Sequence, residues 1–457
     1  MYERQAIGGR GYGALATSPI KAGTLVLRSN SVAAIPLDPR ITCAYCFTPS
    51  SLRCSRCKFL HYCSRRCQQA DWFMHGAECK YIANYNSNHE NGPKPTPTVL
   101  LVARLLRVPN PPKSSEYAHN LELHSLDAIA CYRDMSELVL QILSASRFIH
   151  SYSIHDIVLL FAMLNCNAFT VSTLELVPVG IGFYPRATLF NHSCLPNCIA
   201  TFDGRNIEVR TLCHIELGQE LTISYIELIQ TRATRQKELA SSYFFNCTCL
   251  RCQGLNNWVE KEEWLSALRC QDTCCKGLVK PNIATNFFGC GNCGALRDSH
   301  DINLMEHQMD SAIAMSNSAE RLNKLPEAIS HRCQAMSIAK RLYNPLHAKY
   351  ISNAETLANL IMSTKNSESL DSKQVTIAIE MFQEALNGLS WLYGDILVPM
   401  KGLTTLKYAR TLYQNSPKQK QNAMENIKEA CCLLTITHGE NSFLVKQAVD
   451  MLHEMQR

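Results

Sequence analysis

Residues 189–198 read LFNHSCLPNC, which places two asparagines, a histidine and two cysteines in one short stretch. An Asn-His-Ser sequence taken alone is a common polar turn. The complete string from Asn191 to Asn197, with a cysteine and a proline at fixed positions, is a much more specific sequence signal than those three residues alone. A simple polar turn therefore does not account for this stretch.

Two further stretches carry residue types that suit a binding site. GQELTISYIE at 218–227 holds Tyr225 in a β-prone run. A tyrosine in such a run is more often part of the core, so a role for Tyr225 in a site is inferred only together with the first stretch. RGYG at 10–13 has two glycines that let a ligand approach the backbone and an arginine that suits a carboxylate. A dinucleotide-binding fold is disfavoured, because no strand is expected before these glycines and no helix after them.

The composition indicates a folded protein with an unusual number of thiols. Hydrophobic residues make up 46% of the 457 residues, charged residues 18%, and 23 residues are cysteines. The N-terminus has no apolar leader and the most apolar stretch, 154–164, is too short to cross a bilayer, so we expect a soluble intracellular protein. Cysteines in that compartment bind metal more often than they form disulfides. The formal charge of +6 permits an acidic or nucleic-acid partner without requiring one.

The first cysteine cluster predicts two complete tetrahedral zinc sites. The pairs follow CxxC, CxxC, CxxxC and HxxxC spacings, in which a CxxC pair holds an ion from a turn and an x3 pair puts both ligands on one helical face. A module this small has little apolar core, so metal binding supplies much of its folding free energy. The eight predicted ligands are Cys43, Cys46, Cys54, Cys57, Cys63, Cys67, His75 and Cys79.

Two later cysteine clusters are incomplete or irregular. Cys247, Cys249 and Cys252 lack a fourth ligand, for which Cys194 and Cys198 are the candidates. Two alternatives are open for the cysteines within residues 270–293: they form a further zinc site, or they lie in a loose loop. That site would use Cys270 or Cys274 with Cys275, and Cys290 with Cys293.

The rest of the chain divides into strand-rich and helix-rich regions. We expect short strands over 1–40, a polar connector at 86–98, helices over about 99–165, and strands over about 168–226 with a hairpin at Asp203-Gly204. From about 300 onward the pattern is helical. The similar turns LYNPLH, LYGDIL and THGENS, beginning at 342, 392 and 437, suit either stacked tetratricopeptide-type hairpins or an irregular bundle.

The spacing of the first cluster and its ending DWFMHGAEC, with Trp72, resemble the MYND zinc finger. The resemblance implies cross-braced sites, with Cys43, Cys46, Cys63 and Cys67 on one ion and Cys54, Cys57, His75 and Cys79 on the other. A RING finger of a ubiquitin ligase usually has its histidine in the middle of the motif, whereas here it is in the last pair. MYND fingers are structural or bind proline-rich peptides or DNA. The basic residues that could serve such a partner, or remain solvated, are Arg53, Arg56, Lys58, Arg65 and Arg66.

The RGYG, NHSC, SYIE and CxCxxC stretches together resemble the SET domain. A MYND finger inserted between RGYG and the other stretches is similar to the SET and MYND domain-containing (SMYD) lysine methyltransferases over essentially the whole chain. This implies a multidomain α+β protein whose SET-type β fold contains a pseudoknot. The expected parts are a SET domain at 1–42 and 166–228, the finger at 43–79, a linker and helical SET insertion at 80–165, a zinc-bound post-SET segment at 229–254, a cysteine-containing connector at 255–300, and a helical tetratricopeptide-like domain at 301–457.

The resemblance also assigns residues to a site for S-adenosylmethionine (AdoMet), with S-adenosylhomocysteine as product. The implied cofactor residues are Arg10, Gly11, Tyr12, Gly13, His124, Asn167, Thr188, Asn191, His192, Tyr225, Tyr243 and Phe245. The implied lysine channel is Phe169, Tyr225 and Tyr243, with Tyr225 catalytic, and Cys194 is the implied fourth ligand of the Cys247, Cys249 and Cys252 zinc. This chain departs from the family at Tyr12, where asparagine is more usual, and at 122–127, where Glu122, His124 and Ser125 match only loosely.

The expected activity is direct methyl transfer to a histone or non-histone lysine. The amine has to lose its proton first, and an aromatic channel favours the neutral form by desolvation. Tyr225 would orient the attack, while three structural zincs, with a fourth left open, take no part in the chemistry. The alternative is a catalytically silent scaffold that recruits partners, but the intact motifs favour the enzyme. We expect a monomer in cytoplasm and nucleus, with a protein substrate and no membrane contact.

Overall fold

The computed structural model describes residues 1–88, 94–145, 152–272, 274–281, 287–364 and 371–456. The chain divides into two compact units. The first unit comprises Met1–His192, Pro196–Ile223 and Glu238–Asn246, and the second comprises Ser193–Leu195, Ser224–Lys237 and Cys247–Arg457. The second unit therefore takes short pieces of the predicted SET region as well as the C-terminal helices.

The first unit contains three small sheets. Its strands are β1 (Tyr2–Ala6), β2 (Tyr12–Ala16), β3 (Leu25–Asn30), β4 (Ala33–Pro36), β5 (Ala168–Ser172), β6 (Pro178–Phe183), β7 (Asn191–His192), β8 (Cys198–Asp203), β9 (Asn206–Thr211) and β10 (Glu220–Ile223). The sheet orders are β1-β2-β10-β7, β3-β9-β8 and β4-β6-β5. The short strands predicted for 1–40 and 168–226 are confirmed.

Two tight turns shape these sheets. β1 and β2 form an antiparallel hairpin, and its turn needs left-handed backbone at Gly9 and Gly11, with φ of +72° and +75°. A strand therefore does precede the RGYG stretch, and the expectation that none would is wrong. No described helix follows it, because β2 continues the chain. The hairpin at Asp203-Gly204 is confirmed, with Asp203 paired to Asn206 and Gly204 in the loop at φ +57°.

Among the described residues, the α-helices that lie wholly in the first unit are α1 (Arg65–Asn88), α2 (Pro97–Leu105), α3 (Leu126–Ala145) and α4 (Ile154–Asn167). Their apolar faces share a buried cluster with β4, β6 and the cysteine-rich segment. α1 runs past residue 79, where the finger was expected to end, and takes in 86–88 of the expected connector. Residues 89–93 of that connector lie outside the described residues.

A fully buried ion cluster joins α1 to α2. Arg104 donates to both oxygens of Glu78 at 2.7 and 2.9 Å and to those of Asp71 at 3.2 and 3.1 Å. It also donates to the Ala34 carbonyl oxygen at 2.9 Å, so one guanidinium connects both helices with β4. Burial of three charges is tolerated because each is paired and hydrogen-bonded.

The apolar stretch predicted at 154–164 is the core of α4. Ser153 caps this helix by accepting from the Asp156 backbone at 3.1 Å, and the Asp156 side chain accepts in return from the Ser153 backbone at 3.0 Å. Among the described residues, no helix combines the length and the apolar character needed to cross a membrane.

The second unit is mostly helical. Its elements are α6 (Leu250–Gln253), α7 (Trp258–Ser266), β11 (Leu268–Arg269), β12 (Leu278–Pro281), β13 (Phe287–Cys290), β14 (Leu296–Asp298), α8 (Ser299–Arg321), α9 (Leu325–Leu342), α10 (Ala348–Ser363), α11 (Ser372–Tyr393), α12 (Pro399–Asn415), α13 (Lys420–His438) and α14 (Phe443–Gln456). α5 (Arg232–Tyr243) has residues in both units. β11–β14 form one antiparallel sheet, where a cysteine-containing connector with a possible extra zinc site was predicted but no strands were.

From α8 to α14 each helix packs on the next one along the chain. The three similar turns join α9 to α10, α11 to α12 and α13 to α14, so each occupies the same place in a helix–turn–helix pair. This sequential packing is the arrangement expected of stacked helical hairpins. The stack shares a core with the preceding segment, because Ile229 and Trp258 are buried with Ile351 and Leu389.

Candidate active site and metal centres

Three of the sequence stretches meet on neighbouring strands of one sheet. β7 pairs in parallel with β10, placing Asn191 opposite Thr222 and His192 opposite Ile223. β10 pairs on its other side with β2, where Leu221 lies opposite Ala14. The NHSC, ELTISY and RGYG stretches are thus side by side, although two of them are about 200 residues from the third along the chain.

The Glu220 carboxylate is the polar centre of this sheet. One oxygen accepts from Asn191 Nδ2 at 2.8 Å and the other from Arg10 Nη2 at 2.7 Å. Asn191 Nδ2 also donates to the Tyr12 carbonyl oxygen at 3.1 Å. Gly13 is required here, because a Cβ on it would lie 2.8 Å from the Glu220 carboxylate and 2.9 Å from Asn191 Nδ2. The expectation that Arg10 would suit a carboxylate is confirmed, and the carboxylate is that of Glu220, which was not predicted as a site residue.

Asn197 ties the two central stretches together. Its Nδ2 donates to the Glu220 carbonyl oxygen at 2.8 Å, and its Oδ1 accepts from the Thr222 backbone at 2.8 Å. The amide therefore pairs with β10 as another strand would. This second asparagine of NHSCLPN has a positioning role that the sequence analysis did not identify.

The turn before β2 leaves room for a ligand against the backbone. A Cβ on Gly9 or Gly11 would meet no atom within 4 Å, so a ligand could approach these two Cα atoms closely. The turn itself is closed by hydrogen bonds from the Ile7 N–H to the Gly11 carbonyl oxygen at 2.7 Å and from the Arg10 N–H to the Ile7 carbonyl oxygen at 2.8 Å. The neighbouring Tyr12 ring is exposed and lies 3.8 Å from the Arg4 guanidinium. An open, glycine-lined backbone next to Asn191 fits a cofactor with polar groups such as AdoMet.

The aromatic segment at 243–245 contacts two of the predicted cofactor residues within the first unit. The His192 ring lies 6.0 Å from the Phe245 ring, centroid to centroid, and the His124 ring lies 4.6 Å from that of Phe244. His124 thus joins the candidate site through Phe244, a residue that the sequence analysis did not select. Phe244 has a φ of +62°, so the backbone is bent sharply between Tyr243 and Phe245.

The other predicted residues of the first unit lie at the ends of elements. Asn167 closes α4 and donates from Nδ2 to the carbonyl oxygens of Ala118 and Met163, both at 2.7 Å, so its side chain is held in place at the end of the helix. Phe169 follows on β5, with its ring edge-on to Tyr184. The Thr188 hydroxyl donates to the Pro185 carbonyl oxygen at 2.8 Å.

The two tyrosines expected in the lysine channel differ in their setting. Tyr225 lies two residues beyond the end of β10 and is half-buried. It is therefore neither inside a strand nor fully enclosed in the core, unlike most tyrosines in β-prone runs. Tyr243 is the last residue of α5, and burial raises the pKa of its hydroxyl. By compactness Tyr225 belongs to the second unit and Tyr243 to the first.

The first unit contains two groups of four metal-type ligands. Within each group the ligand atoms lie within 4.8 Å of one another, and the groups alternate along the chain as in a cross-brace. Four sulfurs at about 2.3 Å from one zinc ion are about 3.8 Å apart. Neighbouring sulfurs lie 3.4 to 3.8 Å apart, which fits such an ion. The groups are Cys43, Cys46, Cys63 and Cys67, and Cys54, Cys57, His75 and Cys79.

Only part of the helical placement expected for these ligands is observed. His75 and Cys79 lie one turn apart on α1, but Cys63 precedes the helix that carries Cys67. His75 points Nε2 toward the Cys57 sulfur at 3.6 Å and Nδ1 toward Glu78 at 3.6 Å.

A third group lies within the second unit and comprises Cys194, Cys247, Cys249 and Cys252. Cys194 Sγ is 3.5 Å from Cys252 Sγ, whereas Cys198 is buried on β8 outside the group. The buried Arg235 guanidinium lies 3.8 Å from the Cys252 sulfur and pairs with Glu262. A cation in this position would offset the negative charge of four thiolates on one divalent ion.

Comparison with known proteins finds one matching domain model and several similar enzymes. The sequence model of the SET domain matches residues 11–226. The chain is 25% identical to the histone-lysine N-methyltransferase ASHR1 of Arabidopsis thaliana, over 95% of this chain and 91% of that protein. It is 32% identical to the human histone-lysine N-methyltransferase SMYD3 and 34% identical to the human N-lysine methyltransferase SMYD2, each over 55% of this chain.

The matched region spans 61% of SMYD3 and 60% of SMYD2, or about three fifths of each human protein. The SET-domain match, the names of the relatives and the clustered cysteines all agree with a lysine methyltransferase of the SET class that binds metal through cysteines. The chain is therefore similar to lysine methyltransferases, and residues 11–226 match the SET domain.

Proposed function

We propose that this chain transfers a methyl group from AdoMet to the side-chain nitrogen of a lysine in a protein, histone or non-histone. The observation that carries this proposal is the parallel pairing of β7 with β10, which joins Asn191 and His192 to the strand that leads into Tyr225. The names of the relatives support lysine as the acceptor.

We assign the cofactor to the polar edge of the sheet around Glu220 and to the aromatic segment beside it. When bound, AdoMet supplies a methyl group on a positively charged sulfur, and S-adenosylhomocysteine is the product. The space beside Gly9 and Gly11 and the fixed orientation of the Asn167 side chain support this assignment. The assigned residues are Arg10, Gly11, Tyr12, Gly13, His124, Asn167, Thr188, Asn191, His192, Tyr225, Tyr243 and Phe245.

The substrate lysine is assigned to a channel of Phe169, Tyr225 and Tyr243. Aromatic walls remove water from the ammonium group, which lowers its pKa from about 10.4 and favours the neutral amine. The raised pKa of Tyr243 keeps its hydroxyl protonated and able to donate a hydrogen bond. We assign Tyr225 the role of holding the amine in line for attack, which is a positioning effect completed in the transition state.

The first three cysteine groups are assigned to structural zinc. Each offers four protein ligands, so no coordination position remains for water or substrate. Zinc is favoured over harder cations because thiolates are soft ligands arranged as a tetrahedron. The chemistry of methyl transfer is thus left to the sheet and the aromatic segment.

Radiolabel transfer tests the proposal directly. Purified full-length protein is incubated with AdoMet tritiated on the methyl group and with a cell extract, and labelled proteins are identified by mass spectrometry. Label on lysine that is absent with the Tyr225→Phe variant would support the enzyme. No label with any extract, from protein that binds AdoMet, would support the scaffold alternative instead.

The finger is assigned a recruiting role through its basic residues. All five are exposed: Arg53, Arg56, Lys58, Arg65 and Arg66. A DNA partner would bind with an affinity that falls steeply with salt, whereas a proline-rich peptide would be much less sensitive to salt. We also propose that the protein is a monomer and that it is present in the cytoplasm and the nucleus. Light scattering tests the first point, and microscopy of the tagged protein tests the second.

A further inference from the structure

The sheet β11–β14 brings four cysteines to one place within the second unit. Cys270 directly follows β11 and Cys275 precedes β12. Cys290 is the last residue of β13, and Cys293 lies in the turn before β14. The first pair and the second pair therefore come from the two turns that join β11 to β12 and β13 to β14.

The sulfurs have the spacing of a single-ion site. All four lie within 4.8 Å of one another, with Cys270 3.5 Å from Cys293 and Cys275 3.6 Å from Cys290. A disulfide would hold two sulfurs at about 2.05 Å. A zinc tetrahedron has edges of about 3.8 Å, which the observed distances approach closely. The exposed Cys274, adjacent to Cys275, is outside the group.

The backbone around the sulfurs is shaped for thiolates. The Gly277 N–H and the Asn292 side-chain amide point at Cys275 Sγ, at 3.3 and 3.5 Å, and such donors stabilise a metal-bound thiolate. Gly277 is required, because a Cβ on it would lie 2.6 Å from Cys290 Sγ. The second turn needs left-handed backbone at Gly294, with φ of +72°, and closes with a 3.0 Å hydrogen bond from its N–H to the Cys290 carbonyl oxygen.

The sheet has too little apolar core to fold on packing alone. Among its described side chains, the fully buried apolar ones other than cysteine are Leu268 and Val279. Small modules with such a core are held by disulfides or by metal. Since the sulfur distances are too long for disulfides, metal is the remaining means of stabilisation.

We propose that Cys270, Cys275, Cys290 and Cys293 form a fourth structural zinc site in this chain. Four thiolates in a tetrahedron take zinc, and the short distances leave no room for a cluster of several irons. The site also fixes the start of the helical stack. The buried Arg297 on β14 donates to the Arg269 carbonyl oxygen at 2.9 Å and to that of Leu342, at the end of α9, at 3.3 Å.

Elemental analysis of the full-length protein tests this site independently of any methylation. The double variant Cys290→Ser/Cys293→Ser is expected to hold one zinc fewer per chain than the natural protein. Cys274→Ser is the matched control and is expected to lose none. Equal zinc in the double variant and the natural protein would overturn the proposal, as would stoichiometric iron.

Alkylation mapping needs no variant and so does not depend on the double variant folding. Native protein is treated with iodoacetamide before and after zinc is removed with a chelator, and modified cysteines are identified by mass spectrometry. Cys274 is expected to react in both cases, and Cys275 and Cys290 only after zinc removal. Modification of Cys275 as fast as Cys274 in the zinc-loaded protein would overturn the proposal, and so would disulfides in non-reduced peptides.

Discussion

Asn191 donates to Glu220 across the junction of two strands, with Nδ2 2.8 Å from the carboxylate oxygen. The other carboxylate oxygen accepts from Arg10 at 2.7 Å, so one acidic group sets the orientation of residues on both sides of it. Glu220 is a positioning residue in this arrangement, since it acts on a cofactor through Asn191 and the turn before β2.

Replacing Glu220 by glutamine should weaken AdoMet binding without unfolding the sheet. The amide has the size of the carboxylate, but its NH₂ group turns a donor toward either Arg10 or Asn191. We expect Kd to rise about tenfold, or about 1.4 kcal/mol, as for the loss of one charge-assisted hydrogen bond. Calorimetric titration with AdoMet measures this, with the exposed Glu216→Gln as control. An unchanged Kd would contradict the role of Glu220.

Tyr225→Phe should reduce turnover and leave the fold and AdoMet affinity unchanged. The ring and its packing remain, while the hydroxyl that positions the amine is lost. We expect single-turnover rates to fall by one to several orders of magnitude, about 2–4 kcal/mol, as for other preorganised donors. Tyr413→Phe on α12 serves as control. A core tyrosine would instead show a lower melting temperature with normal turnover.

Arg104→Met should strongly destabilise the first unit. Methionine fills much of the volume, but Asp71 and Glu78 become buried carboxylates without their cation, and Arg205, 3.8 Å from Asp71, compensates only in part. We expect the free energy of unfolding to fall by about 3–5 kcal/mol. Arg107→Met, two residues after the end of α2, leaves Asp71 and Glu78 paired with Arg104. It should lower the free energy of unfolding by about 1 kcal/mol or less. Urea unfolding of the two variants checks this, and equal stabilities would refute it.

The sheet and the finger were predictable from sequence because each is marked by local residue patterns or by short sequence motifs. Metal ligands recur at fixed short spacings, and the Asp203-Gly204 pair marks its own hairpin. Glu220 gave no such signal, since its partner Arg10 is 210 residues away and both side chains are of common surface types. Only the strand pairing of the fold makes them neighbours.

The connectors were the least predictable parts. The polar sequence after Cys79 suggested an early end to the finger, but α1 continues to Asn88. β11–β14 have two to four residues each, too few for alternation of apolar and polar side chains to appear. The strand before RGYG was missed for a similar reason, as β1 is largely exposed and lacks an apolar pattern.

His347 predicts a pH dependence of stability in the helical stack. Burial first, and Lys349 second, lower its pKa to about 3, and its Nδ1 accepts from the Lys349 backbone at 3.1 Å. In the unfolded chain its pKa is about 6.5, so the unfolded state binds more protons between these values. The stabilisation is therefore complete above about pH 6.5 and is lost as pH falls toward 3.

Between pH 7 and pH 5 this residue should account for a loss of about 2 kcal/mol in the free energy of unfolding. His347→Asn keeps a side-chain cap for α10 and removes the titration. Urea unfolding at both pH values, followed by helical circular dichroism, should show a smaller pH effect in the variant. Equal pH effects in both proteins would exclude His347 as the source.

The pairing of β2 with β10 has a consequence for synthesis on the ribosome. Ala14 finds its partner Leu221 only after about 200 more residues have been made, which at roughly 5–20 residues per second takes about 10–40 s. During that time the β1–β2 hairpin has an unpaired edge, which invites pairing with other chains. The nascent chain should therefore be a chaperone client until the finger and the helices α2 to α4 have been translated and β10 has emerged.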